Sequence, residues 1–76
     1  MVLRVTAPAV AEIITVALVE QAAADLAATR RRRDLSETDI VNRAISLHEF
    51  VDARMAAGSE FLVRDPDGTT QKVLLF

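Results

Sequence analysis

A chain of 76 residues makes one small domain at most, and a lone domain of this size hides only about 60% of the surface of its unfolded chain. The chain has no cysteine for a disulfide, yet 51% of its residues are hydrophobic, which predicts a homodimer with a shared core. The formal net charge of −2 excludes a protein that binds polyanions through its overall charge, although a local basic patch remains compatible. No stretch has the length and apolarity of a membrane span or the pattern of a secretory signal, so we expect a cytoplasmic protein without a membrane partner.

The first eighteen residues do not point to one structure. Residues 1–12 are predicted to be an N-terminal arm or an extra strand, interrupted by Pro8. The β-branched residues of IITVAL (13–18) favour a strand, but the same segment also fits a helix that continues from Ala9. In a strand, one face would carry Ile14, Val16 and Leu18, and the other Ile13, Thr15 and Ala17. The pattern alone leaves both alternatives open.

Residues 20–33 are predicted to be a helix because alanine dominates the segment. Acidic residues come early and arginines come last, which is the order that the helix dipole favours. The arginines form one run: Arg30, Arg31, Arg32 and Arg33. The apolar face of this helix is thin and consists of Ala22, Ala23, Leu26 and Thr29.

Residues 36–57 carry the clearest helix signals in the chain. Ser36 is an N-cap candidate, Asp39 stands three residues later as in a capping box, and Gly58 follows the last turn. The apolar positions recur at three- and four-residue steps over a wide face: Ile40, Val41, Ala44, Ile45, Leu47, Phe50, Val51 and Met55. A helix with so wide an apolar face needs other elements to cover it.

Residues 60–76 are predicted to form a β-hairpin around Asp65-Pro66-Asp67-Gly68. Proline suits the first central position of a type I turn, and Gly68 suits the left-handed residue of a bulged hairpin. Alternation places Phe61, Val63, Val73 and Leu75 on one side, and Glu60, Arg64 and Lys72 on the other together with Leu62, Leu74 and Phe76.

In this order, strand, helix, tight turn and helix, the chain resembles the ribbon-helix-helix family (Arc/MetJ type) of small bacterial DNA-binding proteins. The resemblance runs from about residue 13 to residue 57. The segment TVALVEQAAADLA looks like the strand and first-helix start of the family, and LSETDIVNRAISL looks like its second helix. Leu18 and Ser36 also stand at the spacing that the family pattern has between strand end and second cap. The trailing hairpin is similar to a tail on many actinobacterial relatives.

The resemblance implies an α+β, mainly α fold: an intertwined dimer with strand 13–18, helices 20–33 and 36–57, and a C-terminal hairpin at 60–76. Residues 1–12 would be the arm, 13–57 the core and 58–76 the tail. Two paired strands would enter the major groove of double-stranded DNA, and the start of each second helix would sit on a phosphate. The implied base-facing residues are Ile13, Thr15 and Ala17, and the implied backbone contacts are Ser36, Glu37 and Thr38.

The arginine run would flank that phosphate contact and is the strongest functional signal in the residues themselves. We therefore expect a dimeric transcriptional regulator or an antitoxin-like protein. Two alternatives stay open. One is a protein-interaction module that kept the dimer but not DNA binding, with the hairpin edge as its site for a protein partner. Two features favour it: the outer ribbon face has one polar residue, Thr15, and Glu37 would repel phosphate. The other is a four-helix dimer in which residues 9–33 form one helix.

Nothing in the sequence predicts a reaction site. His48 has no second histidine and no cysteine near it, and the chain has only two glycines, too few for a phosphate-binding loop. Asp65 and Asp67 fit turn chemistry. We expect no enzyme activity, no metal and no cofactor.

Overall fold

The computed structural model describes residues 9–74. Its elements are helix α1 (Glu20–Arg32), helix α2 (Glu37–Ala56), strand β1 (Phe61–Arg64) and strand β2 (Thr70–Val73). This is the predicted α+β class, mainly helical, with a two-stranded antiparallel sheet. The chain divides into two compact units with the boundary between Ser46 and Leu47. Most of the predicted arm at 1–12 and the last two residues of the predicted hairpin lie outside the described residues.

Residues 9–19 form neither a helix nor a strand within the single chain. Helix α1 begins at Glu20, and Val19 before it is extended, with φ −71° and ψ 162°. The alternative of one helix over residues 9–33 is therefore wrong. The predicted strand at 13–18 is not formed either, because a strand is defined by hydrogen bonds to a neighbouring strand and none of the described residues supplies one beside this segment.

Helix α1 ends close to its predicted boundary. The N–H of Arg33 donates to the carbonyl of Thr29 at 3.0 Å, and Arg33 itself is extended, so the helix stops one residue earlier than predicted. Ala22, Leu26 and Thr29 are half-buried along one face, as predicted. Ala23 is exposed and does not share that face, whereas Ala28 is half-buried. The face is thin because alanine offers little area to cover.

Helix α2 begins where the capping signal placed it. The N–H of Asp39 donates to Oγ of Ser36 at 3.1 Å, and the carbonyl of Ser36 accepts from the N–H of Ile40. Ser36 is thus the N-cap that satisfies one of the otherwise unpaired amides of the first turn. Leu35 closes the short connection from α1 by donating its N–H to the carbonyl of Arg33 at 2.9 Å.

The end of α2 is set by Gly58, which has a φ of +94°. Its N–H donates to the carbonyl of Met55, and the N–H of Ser59 donates to the carbonyl of Arg54, both at 2.9 Å. These are the two hydrogen bonds of a Schellman motif, which needs a left-handed residue at this position. The predicted helix stop is confirmed, with the last helical residue at Ala56.

The hairpin follows its predicted turn chemistry. Gly68, at φ +91°, donates its N–H to the carbonyl of Asp65, and the N–H of Asp65 donates to the carbonyl of Thr69. This is a three-residue turn with a glycine bulge. The register pairs Phe61 with Val73, Leu62 with Lys72, Val63 with Gln71 and Arg64 with Thr70. Within the same unit, Phe61 packs edge-on against Phe50 of α2 with ring centroids 6.3 Å apart.

Residues 9–74 contain no buried side chain when the chain stands alone. Thirteen large hydrophobic side chains are exposed: Val10, Ile13, Ile14, Val16, Leu18, Val19, Val41, Ile45, Leu47, Met55, Leu62, Val63 and Leu74. The wide apolar face predicted for α2 is thus covered only in part, at Ile40, Phe50 and Val51.

Candidate nucleic-acid interface

The residues predicted to contact the DNA backbone come together where α1 ends and α2 begins. The arginine run occupies the last turn of α1 and the residue after it, and Ser36 caps α2 three residues further on. The run lies at the C-terminus of α1, where the helix dipole favours cations, and precedes the N-terminus of α2, where it favours anions. This corner (residues 30–38) lies within the first compact unit.

The corner contains an ion pair that the sequence analysis did not foresee. Nη1 of Arg30 lies 2.8 Å from Oε1 of Glu37, with 50% and 63% of the two side chains exposed. The pair spans the connection between two helices, so neither the three- nor the four-residue helical spacing signals it. Because it neutralises Glu37, the carboxylate presents less repulsion to an anion at the start of α2 than the sequence alone suggests.

The rest of the arginine run is exposed to solvent. Among residues 9–74, the ion pairs do not involve Arg31, Arg32 or Arg33. Arg32 donates from Nη2 to Oγ1 of Thr29 at 3.5 Å, which is a weak contact. Three guanidinium groups per chain therefore remain available to anions at this corner.

The start of α2 offers backbone donors beside those arginines. The first N–H groups of a helix have no intrahelical acceptor, and here the hydroxyl of Ser36 is taken by the N–H of Asp39. Thr38 is exposed, and its carbonyl accepts from Nδ2 of Asn42 at 2.7 Å. The corner thus combines exposed cations with helix-start amides, a combination that suits a phosphate oxygen.

The predicted base-facing residues lie in the segment without secondary structure. Ile13 is 89% exposed, and Thr15 and Ala17 are exposed as well. Their alternate neighbours are also uncovered, with Ile14 at 59%, Val16 at 60% and Leu18 at 50% exposure. One chain by itself therefore does not distinguish an inner from an outer face in this segment.

No protein-family model, curated protein or solved structure matches the chain.

The range 9–74 holds no group of three or more histidine, cysteine, aspartate or glutamate residues placed to bind a metal. None of its helices has the length and apolarity to cross a membrane. In the second unit, an open recess beside the hairpin is lined by Met55, Phe61, Lys72 and Val73 among others.

The hairpin turn lowers the pKa of one of its carboxylates, that of Asp67, through the hydrogen bonds that shape the turn. Oγ1 of Thr69 donates to Oδ1 of Asp67 at 2.7 Å, and the N–H of Thr69 donates to the same oxygen at 2.9 Å. These two hydrogen bonds, the hydroxyl first, hold the pKa of Asp67 below its usual value of 3.8. In the same turn, the carboxylate of Asp65 accepts a hydrogen bond from Nε2 of Gln71 at 2.8 Å. Both carboxylates stabilise the turn, in agreement with the sequence analysis.

Proposed function

We propose that the chain is a homodimeric DNA-binding protein, either a transcriptional regulator or an antitoxin-like protein. In this proposal residues 13–18 of two chains pair as an antiparallel ribbon that enters the major groove. The four helices of the two chains then close one apolar interior beneath the ribbon, in a ribbon-helix-helix arrangement.

The observation that carries the proposal is the uncovered apolar segment ahead of α1. Val10, Ile13, Ile14, Val16, Leu18 and Val19 are each at least 50% exposed, and the segment forms no helix although it has the apolar spacing of one. An extended segment rich in β-branched residues is stabilised when a neighbouring strand pairs with its free backbone groups and when one of its faces is buried. A second copy of the same segment supplies both at once.

The corner at 30–38 supports contact with the DNA backbone. Arg31, Arg32 and Arg33 are exposed next to the start of α2, and the Arg30–Glu37 ion pair offsets the acidic residue there. A dimer would present two such corners, each with three exposed guanidinium groups and helix-start amides. Phosphate contacts of this kind position a protein on the duplex without reading its sequence.

Sequence reading in this proposal falls to the ribbon. The hydroxyl of Thr15 would donate to or accept from base edges, while Ile13 and Ala17 would contact thymine methyl groups. With one polar base-contacting residue per strand, discrimination between DNA sequences would rest on few hydrogen bonds. We expect a protein whose affinity comes mainly from phosphate contacts and depends strongly on salt.

The test is binding to the duplex DNA upstream of the protein's own coding sequence, measured by fluorescence anisotropy at several salt concentrations. Replacing Arg31, Arg32 and Arg33 by alanine removes six guanidinium groups from a dimer. If each contacts a phosphate, the slope of log K against log salt falls by up to about 5, at about 0.9 per contact. The matched control is Arg43→Ala, which removes an arginine on α2 outside the corner and should leave the slope unchanged. Absence of binding at low salt would rule out this function.

A second candidate function is a dimeric protein-interaction module. The observation that favours it is the apolar outer face of the predicted ribbon, where Ile13 is 89% exposed and only Thr15 carries a hydrogen-bonding side chain. Base edges in the major groove are recognised chiefly by hydrogen bonds, which this face can supply only sparsely. A dimer in sedimentation that gives no anisotropy change with DNA would select this candidate.

A further inference from the structure

The two strands of the hairpin present unequal free edges. The sheet of the described residues has only two strands, so each strand has one side without a strand partner. Strand β1 reads Phe-Leu-Val-Arg, with Leu62 59% and Val63 48% exposed. Strand β2 reads Thr-Gln-Lys-Val and carries Lys72 in its middle. Proteins protect free edges with such lysines, and an apolar edge without one invites pairing with another strand.

The hairpin register fixes which backbone groups of β1 point to its free side. Asp65 donates its N–H to the carbonyl of Thr69, so this pair faces inward. Hydrogen-bonded and non-hydrogen-bonded pairs alternate along an antiparallel ladder. Val63 and Phe61 therefore bond to β2, whereas Leu62, Arg64 and, one residue before the strand, Glu60 direct their N–H and C=O groups outward.

We propose that β1 pairs antiparallel with β1 of a second copy of this chain, with Leu62 opposite the partner's Leu62. The two hairpins then form one four-stranded sheet in the order β2, β1, β1, β2. This register uses the outward backbone groups of all three residues in hydrogen-bonded pairs. It is a contact of the second unit and does not rest on the proposed ribbon or on DNA binding.

Charge complementarity favours a second copy of the chain as the partner of β1, and it favours this register. With Leu62 at the centre, Glu60 of one chain lies opposite the partner's Arg64, and the second such pair follows from the two-fold symmetry. All three side chains lie on one face of the strand, since they alternate with Phe61 and Val63. Lys72 already pairs with Glu60 at 3.3 Å within the hairpin, so the acidic residue would stand between two cations.

The other edge does not offer the same fit. The outward-directed residues of β2 are Thr70 and Lys72, by the same alternation. Two-fold pairing centred on Lys72 puts like charges directly opposite each other, which is destabilising. Pairing centred on Thr70 would run into the bulge at Gly68, where φ is +91°. Pairing centred on Gln71 would set Thr70 opposite the partner's Lys72 without an ion pair, so of these registers the one on β1 joins opposite charges.

Single cysteines test the contact directly, because the chain has none of its own. In the proposed register the two Leu62 Cα atoms lie about 5.5 Å apart, within the range that a disulfide spans. In the full-length protein at micromolar concentration under mild oxidation, we expect Leu62→Cys to form a disulfide-linked dimer at least tenfold faster than Thr70→Cys. Thr70 is the matched control because it is exposed and faces the opposite edge. Equal rates for the two variants would overturn the proposal.

Charge reversal in the Leu62→Cys background tests the register. Adding Arg64→Glu places two glutamates opposite each other at both ends of the contact, so cross-linking should slow at least tenfold. Adding Glu60→Arg and Lys72→Glu as well reverses every charge and keeps the ion pair within the hairpin, so the fast rate should return. Recovery also shows that the hairpin still folds. If the fully reversed variant folds, as judged by its amide NMR spectrum, but stays slow, the proposed register is wrong.

Discussion

Ile13 and Ile14 are adjacent, but in the proposed ribbon their replacement by alanine should change the free energy of unfolding by very different amounts. In a paired ribbon, Ile14 faces the shared interior with Val16 and Leu18, whereas Ile13 faces outward. We expect Ile14→Ala to lower the free energy of unfolding of the dimer by about 2–4 kcal/mol. Ile13→Ala should change it by less than about 0.5 kcal/mol, as surface substitutions usually do.

The magnitude follows from the exposure of Ile14 in the single chain. Full burial of an isoleucine side chain is worth about 1.5–3 kcal/mol, and 59% of Ile14 remains to be covered. The gain still available on dimerisation is therefore about 1–2 kcal/mol per chain, and a two-fold dimer doubles it. A cavity left by incomplete relaxation would add to the loss.

The assay is urea unfolding followed by circular dichroism, at one protein concentration for all variants and with sedimentation to give the number of chains. The comparison has a built-in control, because the two variants delete the same atoms one residue apart. If Ile14→Ala costs no more than Ile13→Ala, the segment has no inner face. The ribbon would then be refuted, together with the DNA-binding mechanism that depends on it.

Four further measurements follow from the same geometry. Because folding and association are linked, the thermal midpoint should rise by about 5 °C per tenfold increase in protein concentration, and a midpoint independent of concentration would contradict a dimer. Gly58→Ala should lower the free energy of unfolding by about 1 kcal/mol, because φ is +94° while, apart from the chain neighbours, no atom of residues 9–74 lies within 4 Å of the added Cβ; an unchanged thermal midpoint would count against the Schellman stop. The lowered pKa of Asp67 means that its contribution to stability is present above the unfolded value of 3.8 and is lost as the pH falls through the lower folded value. Thr69→Val should therefore raise that pKa in an NMR titration and weaken the dependence of stability on pH below 3.8, whereas an unshifted titration would exclude the hydroxyl as its cause. Finally, Glu37→Gln should tighten DNA binding by about 3- to 30-fold, because it removes a negative charge at each helix start and releases Arg30; weaker binding would mean that the ion pair holds the corner in its binding geometry.

The helix boundaries and the hairpin were predictable because local chemistry determines them. Ser36 caps α2 through a bond to an amide three residues later, and Gly58 ends it because only glycine takes a positive φ without strain. The hairpin turn likewise needs its glycine at Gly68. Each of these signals acts over a few residues and can therefore be recognised in the sequence.

The remaining features depend on residues that are distant in sequence or on a second chain. The Arg30–Glu37 ion pair depends on how the connection between the helices turns. The Phe50–Phe61 contact depends on the direction in which the chain leaves Gly58. The state of residues 13–18 depends on a neighbouring strand, which the described residues of one chain do not supply.

The contacts of the hairpin turn all join residues close in sequence, from the Asp65 and Thr69 bonds to the Asp65–Gln71 bond. Closing so short a loop takes microseconds and needs no encounter with another molecule. A refolding experiment should therefore separate a rapid first-order phase, reported from the turn, from a later phase whose rate increases with protein concentration as chains meet. At each protein concentration, the interval between the two phases would give the time that a chain with a formed turn spends before it meets another copy.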